Sequence, residues 1–270
     1  MTAAVDPAPP AATSAGAAPA PRAVSAAIEP SAGTPATDVG PRAKLASNGL
    51  APPEASSGAA PPALSAPEAR SPHHYRVAAI GDSLTDPRSH GGGYLSYVKT
   101  RCPKLEIDNF GKGATMVNQM RKRFDAEVAQ SPKQYTHLIV FGGVNDLYSD
   151  LTAFRTPAKI ERDLDYMYEW GHDHGVQVIA LTVAPWGGFK RYFNPSRAAA
   201  TREVNAWIRA QPEKGTVSHV VDAYALLSCG DPESLCDRFF VPFKDGIHFG
   251  PEGHQVLGEA LFRSAFSDCD

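Results

Sequence analysis

The feature that most restricts the fold of this chain is an alternation of two patterns. From about residue 75 to 267, short, largely apolar runs, each closed by Gly, Pro or Asp, take turns with segments of helical period. The runs are Tyr75 to Ile80, Leu105 to Phe110, His137 to Phe141, Gln177 to Val183 and Val217 to Val221. Their length and closing residues predict strands covered on both faces. Between them, Ile160, Leu164, Met167 and Tyr168 fall at i, i+4, i+7 and i+8, behind Pro157 and ahead of Gly171 and Gly175. Ala200, Val204, Trp207 and Ile208 repeat that spacing, with Asn194 as N-cap and Pro195 as first helical residue. A last helix is expected from about Pro251 to Ser267, and shorter or more polar ones at Tyr94 to Arg101 and Thr115 to Ala129. Five such strands alternating with helices predict an α/β fold whose parallel sheet carries helices on both faces. No repeat at solenoid periods is visible.

Composition separates this region from what precedes it. Residues 1–72 hold 23 Ala and 14 Pro, and no Phe, Tyr, Trp, His or Cys. Ala and Pro bury too little apolar surface to offset the entropy of ordering the chain, so a disordered tail or linker is expected there. A solvated linker is favoured over an extended polyproline ligand for a partner. Residues 73–270 suit one folded domain. Setting aside the tail's four basic and five acidic residues leaves 22 against 24 in the domain. That near balance disfavours nucleic acid and membrane surfaces as partners. No run of 18 apolar residues occurs, so no transmembrane segment is expected. The first basic residue is Arg22, with prolines before it, so no signal peptide is visible.

All four cysteines lie in the domain. Cys229 and Cys236 bracket the turn-rich loop CGDPESLC, and Cys102 and Cys269 are left as a possible second pair. Four cysteines allow three connectivities, and spacing does not choose among them. A Cys229–Cys236 bridge, the expected pairing, would contribute about 2.5 kcal/mol by loop closure. It would persist only in an oxidising compartment, which makes an extracellular or periplasmic location the expectation.

In a parallel sheet, ligands bind at the carboxyl ends of the strands, so the chemistry is sought in the loops that follow them. After the first run comes Gly81-Asp82-Ser83-Leu84-Thr85, a turn that can present a hydroxyl at the sheet edge. After the second comes Asn109-Phe110-Gly111-Lys112-Gly113-Ala114-Thr115, whose glycines let backbone N–H groups approach a substrate. Gly142-Gly143-Val144-Asn145-Asp146 follows the third and supplies an amide, and Asp245-Gly246-Ile247-His248 precedes the last helix. Each motif alone is ordinary turn chemistry.

Taken in this order, the four motifs resemble those of the GDSL lipases and esterases, the SGNH hydrolase superfamily, over about residues 75 to 266. The resemblance implies a three-layer, flavodoxin-like fold with a five-stranded parallel sheet. It also implies Ser83 as nucleophile, His248 as general base and Asp245 as the carboxylate that orients it. The oxyanion hole would comprise the Ser83 N–H, a glycine N–H and the Asn145 amide. Gly113, which precedes Ala114 and Thr115, fits the family spacing best, with Gly111 as the other candidate.

A serine hydroxyl is a weak nucleophile near neutral pH and needs a base within hydrogen-bond reach, a task that suits histidine's unperturbed pKa of about 6.5. No metal or cofactor is required. His172 and His174 lie two apart on an expected helix and face different directions, so they are poor joint metal ligands, and His254 is expected to be structural. After the fourth run, the stretch from Pro185 to Phe193 combines four aromatics, a glycine pair, Lys190 and Arg191. It suggests a platform for a sugar ring with Trp186 as substrate-binding residue. Gly91-Gly92-Gly93 is a second, mobile element. The absence of a long apolar acyl channel favours short acyl groups.

The expected function is therefore hydrolysis of carboxylic esters through an acyl-serine intermediate, on short-acyl or O-acetyl substrates, with a small-molecule or carbohydrate alcohol. A lipase-like enzyme for longer acyl esters and a catalytically idle, glycan-binding SGNH fold are the alternatives. The tail then reads as a spacer toward a cell-envelope attachment in a part not in this chain.

Overall fold

The computed structural model describes residues 74–269, and the tail expected over residues 1–72 lies outside them. Its middle layer is an all-parallel sheet of β1 (Arg76–Gly81), β2 (Glu106–Gly111), β3 (His137–Phe141), β4 (Gln177–Leu181) and β5 (His219–Val221), in the order β2-β1-β3-β4-β5. The helices are α1 (Gly93–Arg101), α2 (Val117–Phe124), α3 (Val144–Tyr148), α4 (Asp150–Ala153), α5 (Pro157–Asp173), α6 (Pro195–Lys214), α7 (Ala223–Leu226) and α8 (Pro251–Ala265). A hairpin of β6 (Ser228–Cys229) and β7 (Asp231–Leu235) lies outside the main sheet.

The period-two alternation of strand side chains divides the core into two layers. Val77 and Ala79, Ile139 and Phe141, and Ile179 and Leu181 pack with residues of α1 and α8. Their alternates Ala78 and Ile80, Leu138 and Val140, and Val178 and Ala180 pack with α2, α5 and α6. Because both faces are covered, β1, β3 and β4 read as continuous apolar runs rather than as alternating ones, while the edge strand β2 keeps polar, partly exposed positions.

Local signals set the element ends. The Thr156 side chain accepts from the Lys159 N–H ahead of Pro157, and that of Asn194 accepts from the Arg197 N–H ahead of Pro195. The fourth strand stops two residues short of the expected Val183. There the Asn205 side chain accepts from the Val183 N–H at 2.7 Å and donates to the Val183 carbonyl at 3.0 Å, which removes both groups from the ladder. The expected helix Thr115 to Ala129 is α2 followed by a π-helical turn over Asp125–Ala129. Disulfides join Cys229 to Cys236 across the hairpin and Cys102, at the end of α1, to Cys269 after α8.

A buried ionic chain fastens the loops after β2 and β3 to α5. Asp146 accepts from the Val117 N–H at 2.8 Å and from Arg155 Nε at 2.6 Å, and Arg155 Nη2 donates to Asp163 at 2.7 Å. Breaking such a pair leaves an uncompensated buried charge. Arg155→Met should therefore lower the unfolding free energy by about 3–5 kcal/mol in urea titrations at pH 7. A loss under 1 kcal/mol, the size ordinary for exposed pairs, would contradict this account.

Candidate active site

The site begins where β1 runs out. The Asp82 carbonyl accepts from the Thr85 N–H at 3.1 Å and the Asp86 N–H at 3.0 Å, while its carboxylate accepts from the Leu84 N–H at 2.9 Å. This turn holds Ser83 at the carboxyl end of the sheet. A Cβ on Gly81 would lie 2.2 Å from Thr85 Oγ1, so the turn needs glycine there. Gly91 is pressed just as closely, its would-be Cβ 2.2 Å from the Ser83 carbonyl. The Gly91-Gly92-Gly93 stretch thus serves close packing around Ser83, where the sequence suggested a mobile element.

His248 comes from the loop that leads into α8. Its Nε2 lies 2.9 Å from Ser83 Oγ and its Nδ1 lies 2.6 Å from Asp245 Oδ2. The other Asp245 oxygen accepts from the Ile247 and His248 N–H groups at 2.9 and 2.8 Å, folding the short loop back on itself. Burial acts to raise the Asp245 pKa, but the bonds from the His248 ring and these N–H groups outweigh it and hold the carboxyl below its usual range. A carboxylate can only accept, so Nδ1 carries the imidazole proton and Nε2 faces the serine hydroxyl as a lone pair.

Asn145, 5% exposed, opens α3 after β3. Its Nδ2 donates to the Thr115 carbonyl at 3.0 Å and makes a long contact of 3.4 Å with the Asp82 carboxylate. Its Oδ1 accepts from the Tyr148 hydroxyl at 2.9 Å. Sequence reasoning missed Tyr148, although its i+3 spacing from Asn145 on a short helix was the available signal.

Two expected site residues are placed otherwise than expected. The Gly113 N–H donates to Asp86 Oδ2 at 2.9 Å, and the Gly111 N–H to Asn109 Oδ1 at 2.8 Å. An N–H has one hydrogen, so neither glycine presents a free donor, and Gly113 instead fastens the second loop to Asp86. Trp186 is 1% exposed, donates to Thr201 Oγ1 at 2.9 Å and packs edge-on against Phe193. It belongs to the core and cannot meet a substrate. The half-buried rings near Asn145 are Tyr148, Phe189 and Tyr192, with centroids 4.7–5.8 Å apart.

Two buried ionisable groups lie close behind the site. Burial pushes the fully buried Asp82 up to about 7, against the opposing effects of the Leu84 N–H and of His248. Burial also pushes His254 down to about 4, and its Nδ1 has no hydrogen-bond partner. Its ring packs against Phe249 and Tyr94.

The GDSL-like lipase/acylhydrolase family matches residues 79–256, and the chain belongs to it. No curated protein matches the chain. Among solved structures, a GDSL-like lipase from Bacteroides thetaiotaomicron is 19% identical, covering 70% of this chain and 87% of its own, with TM-score 0.56. A member of the lipolytic G-D-S-L family from Veillonella parvula is 17% identical, covering 72% and 98%, with TM-score 0.57. An acetyl xylan esterase is 19% identical, covering 70% and 98%, with TM-score 0.56. These likenesses establish the SGNH hydrolase fold expected from the sequence motifs.

His254 makes stability depend on pH. Its pKa is about 4 when folded and about 6.5 when unfolded, so between those values the unfolded chain binds more protons. Stability contributed by the neutral ring is present above pH 6.5 and is lost as pH falls toward 4, by about 3 kcal/mol in all. Asp82 acts in the opposite sense, but equally in a variant that keeps it. Urea unfolding of the wild type and His254→Phe at pH 7 and pH 4 should show the difference between them shifting toward the variant by about 3 kcal/mol. A constant difference would contradict the neutral assignment.

Proposed function

We propose that this domain hydrolyses short-acyl carboxylic esters by transient acylation of Ser83. The observation that carries this reading is the continuous hydrogen-bonded chain from Asp245 through His248 to Ser83. Ser83 Oγ attacks the ester carbonyl carbon while its proton passes to His248 Nε2. Asp245 keeps the ring in the productive tautomer and stabilises the imidazolium. The carbonyl oxygen becomes an oxyanion that accepts from the Ser83 N–H and from the Asn145 amide hydrogen turned away from Thr115. Collapse of the intermediate expels the alcohol, which takes the proton from Nε2. Water, deprotonated by the same nitrogen, then releases the acid and restores Ser83.

Tyr148 enters as a positioning residue. Its hydroxyl on Oδ1 and the Thr115 carbonyl on Nδ2 hold the Asn145 amide from both ends, and the second amide hydrogen, which rests on the long 3.4 Å contact with Asp82, is the one that turns to the oxyanion. The cluster of Tyr148, Phe189 and Tyr192 beside Asn145 supports a short acyl group on that side. Two disulfides support action in an oxidising, extracytoplasmic compartment. Titration of the native protein should find no free thiol without reductant and four with it, and four free thiols in the native state would overturn the compartment assignment.

The test is hydrolysis of a chromogenic acetyl ester. Ser83→Ala should reduce the rate to background, and a rate equal to wild type would sink the proposal. Asn145→Ala should lower kcat by about 100- to 1,000-fold. Tyr148→Phe should lower kcat by roughly fivefold with little change in KM, since a neutral hydrogen bond contributes about 1 kcal/mol. In the Asn145→Ala background the tyrosine change should have no further effect. An equal loss in both backgrounds would assign Tyr148 a role independent of Asn145.

A further inference from the structure

Between α1 and α8 runs a groove of about 670 Å³ that the chemistry above does not use. Gly93, Ser96 and Thr100 form its wall on α1, His254 lies on α8, and His90 and Phe243 line the end nearest the active site. Among the described residues no Lys, Arg, Asp or Glu lines it, although charged residues make up 20% of the chain. Its surface is mostly carbon, so the groove suits an uncharged, apolar ligand.

The groove adjoins the reaction centre. The Phe243 ring lies 5.5 Å from the ring of His90 and 6.1 Å, edge to face, from that of His248. It is also on a defined side. Asn145 stands at the start of α3, whose Val144 and Leu147 belong to the core layer of α2, α5 and α6, whereas the groove lies on the layer of α1 and α8. Asn145 and the groove therefore flank the nucleophile from opposite faces of the sheet. His248 must hand its proton to the departing alcohol, so the alcohol lies on the His248 side.

We propose that this groove binds the leaving alcohol of the ester, and that this alcohol is an uncharged apolar one of alkyl or aryl kind. The proposal deepens the esterase reading and rests on it. A sugar, the alcohol first suggested by the sequence, would draw on the side chains of His90, Ser96 and Gln255 at the groove's surface, whereas an alkyl or aryl alcohol would draw on its carbon lining, and the ester series below separate the two. From Gly93 to Thr100 the helix advances about 10 Å, the length of an extended octyl chain.

Two ester series separate the possibilities. With acetyl held constant, kcat/KM should rise from ethyl to octyl acetate by about 30-fold or more, as buried methylenes accumulate. With ethanol held constant, lengthening the acyl chain should give no comparable rise. Ser96→Trp, which fills the groove from an exposed position on α1, should bring the octyl-to-ethyl ratio near one. Thr100→Trp, further from Phe243, should spare the rise at short chains and stop it at longer ones. An alcohol series that is flat in an active enzyme, a rise confined to the acyl series, a preference for acetylated sugars over octyl acetate, or a ratio untouched by Ser96→Trp would each overturn the proposal while leaving the esterase reading in place. Calorimetry of octan-1-ol binding to Ser83→Ala provides the converse arm. Binding that Ser96→Trp abolishes, in a protein that hydrolyses no ester of either series, would keep the groove as an apolar ligand site and discard the esterase reading. Absence of octanol binding would discard the groove.

Discussion

The parallel register of three strands is the constraint on which the rest depends. Gly81 lies opposite Gly111 of β2 and Phe141 of β3, so β1, β2 and β3 end level with one another. The loops that follow carry Ser83, Gly113 and Asn145, residues separated by tens of positions in sequence. Level strand ends deliver them to one edge without any further device. Polar bonds then lock the loops together: Asn145 reaches Thr115 and Asp82, Gly113 reaches Asp86, and Asp146 reaches Val117. His248 arrives from the far end of the chain and closes the arrangement onto Ser83.

This polar cross-linking accounts for the charge buried at the site. A carboxylate such as Asp146 is tolerated in the interior because an N–H and a guanidinium occupy both of its oxygens. Asp82 has the Leu84 N–H and the Asn145 amide as partners but no cation at hydrogen-bond distance, and burial raises its pKa, as it also raises that of Asp146. His254 meets the opposite pressure and stays neutral beneath the groove wall. The same low dielectric that shifts these groups strengthens the hydrogen bonds around Ser83.

Much of the fold was legible in the sequence, for identifiable reasons. β1, β3 and β4 announced themselves because burial on two faces leaves continuous apolar runs, β2 and β5 by the turn residues that close them, and α5, α6 and α8 because Pro157, Asn194, Pro195 and Pro251 mark helix starts. The short helices α3, α4 and α7 and the strand pairing of β6 with β7 were not legible, since two to five residues are too few for a period to register, although the Cys229–Cys236 bridge that closes the hairpin was. Ser83, Asn145, Asp245 and His248 stood out as residues at strand ends and loop tips, and the structure brings Ser83, Asp245 and His248 into one hydrogen-bonded chain. What failed were statements about direction. Gly113 sits where the motif places it, but its N–H points at Asp86, which no spacing could reveal. Trp186 follows the right strand but turns inward to Thr201. Tyr148 was passed over because its importance lies in a single hydrogen bond to Asn145.

The central claim is that His248, held by Asp245, makes Ser83 the one activated nucleophile of the domain. Reaction with an active-site-directed fluorophosphonate, read by mass spectrometry of the digested protein, tests it most directly. The account predicts one stoichiometric adduct on the peptide containing Ser83 and none in His248→Asn. An adduct at another residue, or ester hydrolysis that survives full labelling of Ser83, would contradict it.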